Sequence, residues 1–133
     1  MDVTTIKCRE LQVGDWITNE SGLPTQIITV SGACAYAIFG GDEGDPWVFD
    51  DYIYLPTPIP LTPEILEKNG WKRVDEIFME KRVDENTYFS WADRYGAVLS
   101  QNGHYMCDCK YVHELQHALH LCGLDELANN FKI

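Results

Sequence analysis

Prolines alternate through Pro56-Thr57-Pro58-Ile59-Pro60, and no regular hydrogen-bonded element can run through them unbroken. Each proline fixes φ near about −65° and has no N–H to donate, so the segment reads as an extended connector. It divides the 133-residue chain into two stretches of different character. Residues 1–58 hold short β-prone runs between glycine-rich turns, and residues 59–133 open and close on helical patterns. Each stretch is small for an independent core, so the expectation is two units sharing one.

In the first stretch, Leu11-Gln12-Val13-Gly14-Asp15-Trp16-Ile17 leads through a Gly-Asp turn into a strand. Pro24 to Val30 and Ala33 to Phe39 read as strands, and Trp47-Val48-Phe49 and Tyr52-Ile53-Tyr54-Leu55 are aromatic, β-prone runs. Asn19-Glu20-Ser21-Gly22, Ser31-Gly32 and the acidic segment from Gly40 to Pro46 are turns or loops. Short strands at this spacing suggest a small SH3-like β unit over residues 1–58.

In the second stretch, Thr62 is an N-cap, Pro63 the first helical residue and Glu64 a first-turn acid, with Asn69-Gly70 as the stop. Trp71 to Cys109 reads as three or four strands, with a hairpin turn at Asn102-Gly103. A helix from Lys110 to Cys122 carries Tyr111, Val112, Leu115, Ala118, Leu119 and Cys122 on one face, and a short helical turn follows from Asp125 to Asn130. The fold class is therefore α+β: a small SH3-like β unit, then a helix–β-strands–helix unit over residues 59–133.

The charge pattern bounds the partners. The formal net charge is −11, and from Glu10 to Glu67 there are ten acidic side chains and no Lys or Arg. Residues 1–58 hold two basic groups against nine acidic, and residues 59–133 hold eight against twelve. Such a chain is repelled by nucleic-acid phosphates and by anionic membranes, so neither is expected as a direct partner. No apolar run reaches the roughly 18 to 20 residues of a membrane span. Met1 to Thr5 lacks the basic and apolar regions of a signal peptide. The five cysteines, Cys8, Cys34, Cys107, Cys109 and Cys122, are odd in number, and the expectation is free thiols in a cytoplasmic protein.

His113-Glu114-Leu115-Gln116-His117 matches H-E-x-x-H. In zinc hydrolases the two histidines share a metal on one helical face, and the glutamate is the general base. On that reading His113 and His117 are metal ligands, Glu114 is the catalytic base and zinc is the cofactor. A catalytic zinc wants a third protein ligand, but this chain has His120 and Gly123 where the metzincin continuation has Gly and His. His113, His117 and His120 span roughly 10 Å of helix axis, too far for one ion. On a helical wheel the histidines lie opposite the apolar face, which predicts a solvated stripe. The reading preferred from the residues therefore assigns no catalytic residue and no cofactor. A set of Cys107, Cys109, His113 and His117 has no standard zinc spacing, and two thiols on alternate strand positions read as packing.

Asp42, Glu43, Asp45, Asp50 and Asp51 cluster with Trp47 around three glycines, without the D-x-[DN]-x-[DN]-G pattern of a calcium loop. They are the candidate partner-binding residues, an acidic and aromatic edge suited to a basic protein surface. Phosphate-cradling glycine loops and the Gly-x-Ser-x-Gly elbow do not occur. A small-ligand reading, a nucleotide binder, requires a pocket lined by Arg73, Lys81, Arg82 and Arg94.

Three segments carry a resemblance: Leu11 to Ile17, Pro58 to Trp71 and Lys110 to Gln116. Together they resemble a family of small, functionally uncharacterised proteins carried by phages and mobile elements of gut Bacteroidales. In that family Gln and Asn often stand where this chain has Glu114 and His117, which does not suit a metal site. The family supplies no catalytic residues or cofactor. The resemblance implies a phage-type protein in the host cytoplasm that acts by binding a protein partner. The alternatives are an H-E-x-x-H zinc-dependent hydrolase and a nucleotide-binding protein.

Overall fold

The computed structural model describes residues 10–18, 24–30, 36–39, 47–50, 57–94 and 96–133; for 28–30, 36–39 and 47–50 it describes backbone only. The chain is α+β, with two five-stranded antiparallel sheets and three helices among the described residues.

The first sheet is built from β1 (Trp16–Thr18), β2 (Pro24–Val30), β3 (Tyr36–Phe39), β4 (Trp47–Asp50) and β5 (Thr57–Pro58). Its order is β4-β3-β2-β1-β5, a meander whose last strand returns to the first. Ile17 and Ile27 are fully buried by strand alternation, with Leu11 beside them in burial. The run from Tyr52 to Leu55 and the loops at 19–22, 31–32 and 40–46 lie outside the described residues.

The proline segment is more ordered than an extended connector needs to be. Ile17 faces Pro58 and Thr18 faces Thr57 in β5, and Pro60 bridges Tyr111. Leu61 N–H donates to Lys110 O at 2.9 Å, and Val112 N–H donates to Ile59 O at 2.8 Å. Pro58 and Pro60 stand two residues apart, which puts their missing N–H groups on one edge of the extended segment. The other edge keeps its pairing groups, which is how a proline-rich strand survives at a border.

Helix α1 (Pro63–Lys68) starts as its sequence dictates, with Thr62 Oγ1 accepting from Ile65 N–H at 3.2 Å. Gly70 has φ +85°, so the chain leaves the helix through the left-handed region that glycine adopts without strain. The second sheet follows: β6 (Lys72–Arg73), β7 (Phe78–Asp84), β8 (Thr87–Asp93), β9 (Ala97–Gln101) and β10 (His104–Asp108), each paired with the next. Asn102 (φ 51°) and Gly103 (φ 83°) form the two-residue turn between β9 and β10. Two positive φ values match the right-handed twist of the flanking strands.

Helices α2 (Val112–Leu121) and α3 (Asp125–Asn129) complete the unit. The main core cluster lies within residues 59–131 and contains Leu66, Trp71, Met79, Phe89, Trp91, Leu99, Val112, Leu115 and Leu119. Each such side chain contributes about 1.5–3 kcal/mol by leaving water. Trp91 buries its ring and still satisfies its indole, donating to Cys109 O at 2.8 Å. Trp16 of the first sheet packs against this same cluster. Among the described residues no helix is long and apolar enough to cross a membrane.

Candidate functional site

The chemistry-bearing residues of α2 meet the segment from Glu10 to Trp16. Gly14 has φ +96°, a backbone conformation that glycine adopts without strain, and this turn lies beside Asn129 of α3. The turn delivers Asp15 into full burial. Its Oδ2 accepts from Gln12 N–H at 2.8 Å and lies 2.6 Å from His117 Nε2. A carboxylate can only accept at that position, so the proton between the two groups lies on Nε2. His113 sets its ring edge-on to His117, with centroids 5.6 Å apart, and stacks on Tyr111 at 6.0 Å. Asp15 Oδ1 and His113 Nδ1 are buried without a hydrogen-bond partner.

The histidine stripe is therefore not the solvated face that the helical wheel suggests. His113 is only 8% exposed, and the side chain of His117 is 25% exposed. The wheel describes one helix and cannot see a covering layer. Here that layer comes from the chain preceding the helix by about a hundred residues. Burial lowers the His113 pKa, an effect opposed by the Asp15 carboxylate and augmented by His117, while Glu114 and Glu10 raise it.

Glu114 has a local task. N-cap Tyr111 makes no side-chain cap bond, and Glu114 Oε1 accepts instead from Lys110 N–H and Tyr111 N–H, both at 2.9 Å. This is the carboxylate half of a capping box. Zinc hydrolysis at H-E-x-x-H would require Glu114 to leave the cap and His117 to leave Asp15. Among the described residues no three His, Cys, Asp or Glu groups converge as a metal site. Cys109 is fully buried in the core, and burial pushes its thiol far up, as it does to a lesser degree for Cys107. A raised pKa suppresses the thiolate needed for metal binding or nucleophilic attack.

Gln116 is fixed from three sides. Its Oε1 accepts from Trp16 N–H at 2.9 Å, and its Nε2 donates to Gly14 O at 2.7 Å and to Ala128 O at 2.9 Å. Around it, Trp16 Nε1 donates to Phe131 O at 2.7 Å, and Gln26 Nε2 donates to Gly14 O and Asn129 O, each at 3.0 Å. This polar clasp joins the first sheet to α2, α3 and the tail. Sequence reasoning overlooks Asp15, Gln26 and Gln116. One signal was available: Gln116 stands four residues after Val112 and three before Leu119, inside the apolar stripe, where a polar side chain needs a dedicated partner.

Of the acidic partner-binding candidates, Asp42, Glu43, Asp45 and Asp51 lie outside the described residues. Trp47 and Asp50 are the first and last residues of β4, at one border of the first sheet. Of the four basic residues named for a nucleotide pocket, Arg73 and Arg94 line one cleft, with Glu76 and Asp93, and Lys81 lines another. Arg82 lies over the Tyr88 ring, 5.5 Å from its centroid.

Comparison of the chain with protein-family models, with curated proteins and with solved structures finds no match in any of the three.

Proposed function

We propose that this is a non-enzymatic, phage-type binding protein that acts in the host cytoplasm on a protein partner with a basic surface. The observation that carries the reading is the charge pattern: ten acidic groups and no Lys or Arg between Glu10 and Glu67. Most of that stretch belongs to the first sheet and its connections. Strand β4 supports the reading, because among the described residues it pairs only with β3. A border strand offers backbone N–H and C=O groups to an incoming segment. Trp47 and Asp50 are the first and last residues of β4. One-sign surfaces of this kind accelerate encounter with an oppositely charged partner and bind it less well as salt rises.

The H-E-x-x-H reading is less favoured, since Glu114 caps its helix and His117 holds Asp15.

The test is affinity capture from host lysate, followed by titration of the captured partner against the purified chain. Asp42→Asn, Asp45→Asn, Asp50→Asn and Asp51→Asn combined should weaken binding at least about tenfold and flatten its salt dependence. Binding that ignores both salt and these changes overturns the proposal.

A further inference from the structure

A second site emerges at the opposite end of the charge scale. A cleft of about 290 Å³ opens between the end of α1, β7, α3 and the C-terminal tail. Lys68, Lys81 and Lys132 line it against a single carboxylate, Glu126. Three of the chain's ten basic residues thus meet at one concavity of a protein with net charge −11. Among the described residues none of the three ammonium groups has an ion-pair partner, although acidic side chains outnumber basic ones two to one.

The cleft is held in shape by its own backbone. Asn69, the C-cap of α1, donates through Nδ2 to Ile65 O at 2.9 Å and to Lys132 O at 2.8 Å. Its Oδ1 accepts from Lys132 N–H at 2.8 Å. One amide thereby ties the tail to the helix and fixes the backbone of Lys132 at the rim. The Lys81 ammonium lies beside Gly70, where a Cβ would stand 2.9 Å from Nζ. Trp71, Leu119 and Phe131, all nearly fully buried in the core, contribute the apolar side.

We propose that this cleft binds a small organic anion: an apolar or planar body with a phosphate or carboxylate head. The head sits among the ammonium groups of Lys68, Lys81 and Lys132, and the body lies along the half-buried Leu127. Clefts of this size and mixed lining suit a small molecule, not a polymer. Glu126 accepts a hydrogen bond from any hydroxyl or amine on the ligand, a feature found on sugars and bases. The site is separate from the acidic sheet, so each proposal stands or falls without the other.

Calorimetric titration of the full chain tests it, with phenyl phosphate, benzoate and adenosine monophosphate as probes and phenol and inorganic phosphate as controls. At least one organic anion should bind with Kd below about 1 mM, and both controls at least about tenfold more weakly. The better head group identifies the ligand class, and either preference supports the site. Lys81→Met and, independently, Lys132→Gln should each weaken binding about tenfold, with an unchanged melting temperature as the folding control. Lys132 lies on the exposed tail, so its variant keeps the test open if Lys81→Met fails to fold. Absence of saturable binding for all three anions overturns the proposal, as does binding that both lysine variants leave unchanged.

Discussion

His113 shows how one side chain can carry opposite readings. As part of H-E-x-x-H it is a metal ligand, as part of an exposed stripe it is a solvated residue, and in the fold it is a buried ring stacked on Tyr111. Burial is the larger influence on its pKa and holds it below the ordinary 6.5, against the pull of the Asp15, Glu114 and Glu10 carboxylates and with the push of His117. The unfolded chain therefore takes up this proton before the folded one does. The stability tied to His113 is complete above pH 6.5 and is lost as pH falls below it toward the lowered folded value. His113→Phe keeps the ring stack and removes the titrating group together with a buried nitrogen that has no partner. The variant should show a smaller drop in melting temperature than the native chain between pH 7.5 and pH 5.5, measured by circular dichroism. None of this was legible in the sequence, because Asp15 reads locally as a turn residue and only the fold sets it against α2.

Elements were far more legible than residues. Helix α1 begins and ends where Thr62, Pro63 and Asn69-Gly70 say it should, because caps act within one turn. Strand β2 matches the run from Pro24 to Val30, and the Asn102-Gly103 turn has the two positive φ values its residues favour. What local signals could not give was the pairing of Pro58 with Ile17 or the Pro60–Tyr111 bridge, since each depends on a partner remote in sequence. Helix α2 supplies the prediction at this scale. Glu114→Ala leaves Lys110 N–H and Tyr111 N–H without their acceptor and should cost about 1 kcal/mol in urea unfolding. Glu114→Gln keeps an amide oxygen in place and should cost less than half as much. A pure catalytic base would show no such stability ranking.

At the scale of the whole molecule, polar groups join the first sheet to the helical unit. The clasp around Gln116 joins Trp16, Gly14 and Ala128, and Trp16 lays its ring on the main core cluster. Gln116→Ala takes the Gln116 partner from Trp16 N–H and Ala128 O in a buried place, while Gly14 O keeps Gln26 Nε2, and should cost about 2 kcal/mol. Hydrogen exchange should then quicken first at residues 14–17 and 26–27, ahead of β8 and β9, because the sheet loses its seat before the core opens. Exchange that quickens uniformly across both units would show that the clasp does not govern docking. By itself the sequence determined the class of the fold, the helix limits, the turn chemistry and the one-sided charge, all of which follow from periodicity, backbone sterics and counting. Only the tertiary structure decided that the histidine face is covered, that Glu114 caps and Gln116 clasps, and that three lysines share one cleft. Those outcomes depend on which distant groups meet, and the burial and pairing energies that select the meeting are properties of the assembled chain, not of any window along it.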